Sequence, residues 1–156
     1  MSDLWHSVAW ELRLELLLQL VLAVLLGGAI GLERELKGKP AGLRTNILII
    51  MGATLFTVLS FRLAQGRGDP ARVAAQILPG VGFIGAGTIL HLRGSVTGLT
   101  SAATSWVGAA IGMALGAGAY VEALGTAFVV MAVLAGLGRA EALIGHRAAA
   151  VDRPAE

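Results

Sequence analysis

Six charged side chains crowd into the fifteen residues between Gly31 and Thr45 of this 156-residue chain, at Glu33, Arg34, Glu35, Lys37, Lys39 and Arg44. Two carboxylates facing the Arg44 guanidinium across a short connection can make a structural clamp, a proton site or a hard-cation site. Mg²⁺ takes one or two carboxylates and keeps several waters, so Glu33 and Glu35 are the candidate metal ligands and Mg²⁺ the candidate ion. The same residues have an architectural reading. Glu33 and Lys37 pair at i,i+4 on a helix end while Arg34 snorkels toward water. Both readings stand on the residues alone. Asn46, with Arg44 and Thr45, opens the next segment on the same side.

Other chemistries find little support. Gly80-Val-Gly82-Phe-Ile-Gly85 spells the dinucleotide fingerprint Gly-x-Gly-x-x-Gly, but no alternating strand precedes it. No acidic residue follows before Glu122 to take a ribose hydroxyl. His6, His91 and His146 lie in three separate segments without ligand spacing. Gly38-Lys39 is followed by proline and so is no phosphate-loop lysine, no serine sits in a nucleophile elbow, and there are no cysteines. The chain is expected not to be an enzyme.

The elements that must carry the charged run are apolar. Hydrophobic residues make up 56% of the chain and charged ones 14%, against roughly 25% charged in a soluble domain. Apolar runs at about 14–36, 44–63, 71–91, 99–118 and 121–139 each have the ~20 residues that cross a ~30 Å hydrocarbon core. The expected fold is therefore an all-α, polytopic membrane helix bundle of about five transmembrane helices in a lipid bilayer. Gly38 and Pro40 stop the first helix after Lys37. Asp69-Pro70 reads as an N-cap and first helical position for the third span, and Arg93-Gly94-Ser95 and Gly118-Ala119-Tyr120 mark the later turns. A basic leader region is missing, since Asp3, Glu11 and Glu15 surround Arg13, so the first span is expected to be retained.

Cations divide unevenly between the two sides. Arg13, Arg62, Arg67 and Arg72 fall on one, and Arg34, Lys37, Lys39, Arg44, Arg93, Arg139, Arg147 and Arg153 on the other. The excess places the N-terminus outside and the C-terminus in the cytoplasm, with Trp5 and Trp10 in an outer aromatic belt. Residues 1–145 form the membrane domain and 146–156 a short polar cytoplasmic tail. No basic stripe is interleaved with aromatics, which argues against nucleic acid as a partner.

Small residues mark the packing faces. Ser101, Ser105, Gly108, Gly112 and Gly116 share one face of the fourth span, and Gly27 and Gly31 give the first span a shorter version. Gly82 belongs to a third span whose glycines at 80, 82, 85 and 87 lie on more than one face; tight surrounding is expected there. Gln19, Thr54, Thr57, Gln76, Thr88, Thr100 and Thr104 read as interhelical or back-bonded polar groups, and Trp106 as packing.

Gly-Leu-Glu33-Arg34-Glu35, then Pro40-Ala-Gly42-Leu-Arg44-Thr45-Asn46, resembles the MgtC/SapB family of bacterial inner-membrane proteins. The resemblance continues through Asp69-Pro70-Ala-Arg72-Val-Ala-Ala-Gln76, Gly82-Phe-Ile-Gly85-Ala-Gly87 and Gly98-Leu-Thr100-Ser-Ala-Ala-Thr104-Ser-Trp106, covering roughly residues 20–120. It implies a five-span membrane domain with the C-terminus inside, and a link to growth in low Mg²⁺ and to survival of pathogens in host cells. It further implies regulation of other membrane proteins, the F-type ATP synthase among them. By matching position, Glu33, Arg34, Glu35, Arg44, Asn46 and Asp69 are the functional residues. Longer members add a soluble cytoplasmic domain. This chain has some 17 residues beyond Arg139, so functions of that domain are not expected here.

The leading expectation is a non-enzymatic inner-membrane protein of Mg²⁺ or ionic homeostasis that modulates another membrane protein, such as an ATP synthase or a transporter. The rival is a small transporter or channel for Mg²⁺, protons or another cation at the Glu33/Glu35/Arg44 cluster. A homodimer is expected, because a chain this short leaves little room for a closed pathway in one copy.

Overall fold

The computed structural model describes residues 2–64, 68–92 and 95–151, with side chains for 13–64, 68–89 and 96–137. Arg67, Arg93, Gly94 and Arg153 lie outside these residues, as do the side chains of Trp5, Trp10, Arg139 and Arg147. In chain order come α1 (Ser2–Leu36), α2 (Leu43–Ala64), a 3₁₀ turn (Ala74–Gln76), α3 (Ile77–Gly87), β1 (Leu90–Leu92), β2 (Ser95–Thr97), α4 (Leu99–Gly116) and α5 (Tyr120–Val151). The fold is an all-α membrane bundle with one small hairpin. Among the described residues four stretches are long and apolar enough to cross a membrane: Arg13–Leu36, Leu43–Ala64, Leu99–Gly116 and Tyr120–Leu137.

The third segment, expected as a span at about 71–91, is not one continuous helix. Asp69 Oδ1 accepts from the Ala71 amide at 2.9 Å, which caps a turn rather than an α-helix. Ser60 then pins that turn to α2, donating to the Pro70 carbonyl at 2.6 Å and accepting from the Ala74 amide at 3.1 Å. The α-helix begins only at Ile77, with Pro79 in its first turn, where a missing N–H costs nothing. It has 11 residues, about 16 Å or half a hydrocarbon core. Thr88 closes it, and β1 and β2 pair antiparallel with Leu90 opposite Thr97. Gly98, at φ 89°, turns the hairpin into α4, and a Cβ there would run into the Thr88 carbonyl. Four glycines in eleven residues weaken helix propensity, and the chain spends the rest of its length on turn and hairpin.

The turns after α1 and α4 share one construction. Gly38 (φ 62°) and Gly118 (φ 77°) take the left-handed conformation. Lys39 N bonds Arg34 O at 3.0 Å and Gly38 N bonds Glu35 O at 2.9 Å, while Ala119 N bonds Ala114 O and Gly118 N bonds Leu115 O. These pairs close Schellman motifs and satisfy the last carbonyls of each helix.

α2 and α4 form the middle of the bundle. Half of the α4 span is buried against 17% of the α5 span. The close approaches fall at glycines: a Cβ on Gly27 or Gly31 would overlap the Ile47 or Leu43 backbone, and one on Gly112 or Gly116 would meet Ile50 O or Thr54 O. Gly108 faces the Ile50 side chain. Gly82 has open space instead of the tight surrounding expected of the third span, and Trp106, expected as a packing residue, is half exposed on the bundle surface. Ile30, Ile50, Ile111, Leu115 and Leu134 form the main apolar core, and a second cluster of Ile49, Ala53, Ile77, Val81 and Ala109 seats α3.

Candidate functional site

The α1 end, the α1–α2 connection, the start of α4 and the far part of α5 meet at one end of the bundle. Each charged residue of the run is fixed there by a different neighbour. Glu33 Oε1 lies 2.5 Å from Lys37 Nζ, and Glu33 Oε2 lies 3.5 Å from Arg34 Nη1. Lys37 also donates to the Leu134 carbonyl of α5 at 2.8 Å. Glu35 Oε2 accepts from the Leu43 amide at 2.9 Å, and so caps the first turn of α2. Gly42 makes that cap possible, because a Cβ at this position would collide with the Glu35 carboxylate.

Asn46 locks the connection from the other side. It is 1% exposed, and its amide donates to the carbonyls of Ala41 and Gly42, each at 2.9 Å. Arg44 is exposed, and no ion pair or hydrogen bond involves its side chain among the described residues. Asp69 sits beyond the opposite end of α2, in its own turn. Of the candidate residues, the fold thus gathers Glu33, Arg34, Glu35 and Asn46 around one connection, turns Arg44 outward and sets Asp69 apart. Among the described residues no group of three or more His, Cys, Asp or Glu side chains is placed to share a metal ion.

Arg34 differs from its neighbours. Its residue exposure is 3%, and its Nε is buried without a hydrogen-bond partner. Two adjoining recesses open beside it. One, of about 260 Å³, is lined by Arg34, Lys39, Thr97, Gly98, Thr100 and Ser101 among others. The second, of about 410 Å³, is lined by Arg34, Lys37, Lys39 and Thr100 and walled by Val133, Leu134 and Leu137 of α5. Among the described residues neither is lined by a carboxylate. The sequence marked the carboxylates and missed Lys39 and Ser101. The left-handed Gly98 ahead of α4 was the available signal, because it brings that helix start against the end of α1.

The sequence profile of the MgtC family matches residues 20–143. An Escherichia coli (strain K12) protein named putative magnesium transporter YhiD is 50% identical over 113 residues, covering 68% of this chain and 53% of that protein. Protein SapB of Bacillus subtilis (strain 168) is 42% identical over 132 residues, covering 80% and 57%. Protein MgtC of Brucella abortus (strain 2308) is 49% identical over 109 residues, covering 69% and 45%. The chain spans about half the length of these relatives. No solved structure matches significantly.

Proposed function

This chain belongs to the MgtC family of multi-pass bacterial inner-membrane proteins, and from that premise we propose that it serves Mg²⁺-linked ionic homeostasis by binding and modulating another membrane protein. The observation that carries this reading is the engagement of both carboxylates inside the protein, Glu33 by Lys37 and Arg34 and Glu35 by the α2 amide. A carboxylate that caps a helix and one held by an ammonium favour a clamp over an ion path, since a passing cation would have to displace both partners. Partner contact, or pairing as a homodimer, then falls to surfaces the chain leaves uncovered. On α3, a Cβ at Gly80, Gly82 or Gly87 would meet nothing within 4 Å, and Phe83 is 83% exposed. Small residues beside an exposed aromatic ring suit close helix approach in a bilayer. The stripe on α4 is taken up by α2 within one copy.

The rival reading is a transporter for Mg²⁺ or protons at Glu33, Glu35 and Arg44, and the name of the Escherichia coli relative speaks for it. Reconstitution of the purified protein in liposomes, with Mg²⁺ and proton flux measured for wild type and Glu33→Gln, separates the two. The expected result is no flux from folded protein under either gradient, together with cross-linking of a membrane partner in cells that Gly82→Leu weakens. Flux lost in Glu33→Gln would overturn the modulator reading.

A further inference from the structure

We infer that the recess between Arg34, Lys39 and the start of α4 is a binding site for a phosphoryl group. The electrostatics of the recess favour an anion. Arg34 and Lys39 line both recesses, Lys37 lines the second, and among the described residues no Asp or Glu lines either. Glu33 offsets part of the Arg34 charge from 3.5 Å, outside the lining.

The start of α4 points the same way. The first backbone bond of that helix runs from Ala102 N to Gly98 O, so the amides of Leu99, Thr100 and Ser101 precede the ladder. Gly98 supplies no side-chain cap. An uncapped helix start of this kind draws an anion through its free N–H groups and the helix dipole.

Two buried groups independently call for a ligand. Arg34 is 3% exposed with Nε unpartnered, and Ser101 is 1% exposed with Oγ unpartnered; both line the smaller recess. Buried donors are normally satisfied, and two unpartnered donors on residues that line one recess favour an acceptor beside them. The recess, of about 260 Å³, is large enough for a tetrahedral oxyanion. A guanidinium, an ammonium, a hydroxyl and helix amides converging from different elements match three or four oxygens better than the two of a carboxylate.

The phosphoryl group has two sources, an anionic phospholipid headgroup or free phosphate. The apolar wall of Val133, Leu134 and Leu137 beside the second recess would carry the first acyl carbons of a lipid.

The test uses the full chain, delipidated in detergent, and reads ligand-induced shifts in thermal unfolding. The probes are inorganic phosphate, dioctanoyl phosphatidylglycerol and dioctanoyl phosphatidylcholine. Lys39→Met is the main variant, because that side chain is exposed and has no role in the clamp, and Ser101→Ala is the second. Arg13→Met, on an exposed position of α1 toward its other end, is the charge control. Binding by phosphate, or by phosphatidylglycerol above phosphatidylcholine, upholds the site and identifies the source. It should weaken roughly tenfold in Lys39→Met and stay unchanged in Arg13→Met. No binding by either anion, binding insensitive to both site variants, or equal loss in Arg13→Met would overturn the assignment. None of these outcomes depends on whether the protein moves Mg²⁺.

Discussion

The Lys37 ammonium donates to the Leu134 carbonyl at 2.8 Å, across 97 residues of sequence, while touching Glu33 one turn back on its own helix. One side chain thereby joins the end of α1 to α5 and holds a carboxylate that is only 11% exposed. The link is what turns a charged helix end into a fixed corner of the bundle.

Lys37→Met should therefore destabilise the protein by more than an ordinary surface change. It removes a bond to α5 and leaves the Glu33 carboxylate with Arg34 alone, at 3.5 Å. Loss of a charged hydrogen bond in a partly buried place costs about 1.5–3 kcal/mol. Thermal unfolding in detergent measures it, and the double variant with Glu33→Gln should fall short of the sum of the single losses. An unchanged midpoint would mean that Lys37 is solvated and that α1 and α5 are held otherwise.

Glycine substitutions should separate faces that look alike in the sequence. Gly112→Ala places a methyl against Ile50 O and Ala53, and Gly116→Ala places one against Thr54 O and Thr57. Backbone cannot yield as a side chain can, so each should cost about 1–3 kcal/mol. Gly82→Ala meets nothing within 4 Å, and in a helix it should be neutral or slightly stabilising. Unfolding midpoints for the three variants, side by side, decide whether α4 seats on α2 as described.

The sequence made the bundle legible because length and apolarity alone define a crossing helix, and because Gly38 and Gly118 stand where left-handed caps are needed. At Gly27, Gly31, Gly112 and Gly116 a Cβ would meet the backbone of a neighbouring helix. The third segment was not legible in this way. Residues 71–91 are as apolar as their neighbours, and only the join of Ser60 to Pro70 and Ala74, a contact from α2, shows why a turn replaces the first part of the helix. The charged run shows the same limit. Spacing brought Glu33 and Lys37 together, but the Glu35 cap and the outward turn of Arg44 depend on how the connection folds. Ser101 and Lys39 come to line one recess only through the hairpin; Arg93-Gly94-Ser95 announced a turn there but not the strand pairing around it.

Glu35 and Gly42 should be energetically coupled. Gly42→Ala forces the Glu35 carboxylate off the Leu43 amide and should cost about 1–2 kcal/mol, the range of a lost helix cap. In a Glu35→Ala background the obstacle is gone, so Gly42→Ala should cost much less. A double-variant cycle on unfolding midpoints reads the coupling directly, and strict additivity would show that the carboxylate does not occupy the place beside Gly42.

We propose from the charge distribution that the end of the bundle holding the charged run faces the cytoplasm, and the absence of cysteine makes the proposal easy to test. The excess of cations lies at the end holding Arg34, Lys37, Lys39 and Arg44, which the positive-inside rule places in the cytoplasm. Pro40→Cys and Val96→Cys are exposed positions at that end, and Ala71→Cys is exposed beyond the opposite end of α2. In spheroplasts, a membrane-impermeant maleimide should label Ala71→Cys directly and the other two only after permeabilisation. Val96 is the decisive position. The short third segment must return the chain to the end it left at Leu43, because Thr97 and Gly98 share a recess with Arg34 and Gly38. Labelling of Val96→Cys together with Ala71→Cys would mean that α3 turns back within the bilayer, and that Arg34 and the start of α4 cannot meet. Labelling together with Pro40→Cys keeps the α1 end and the α4 start on one side, as the clamp and the cationic recess both require.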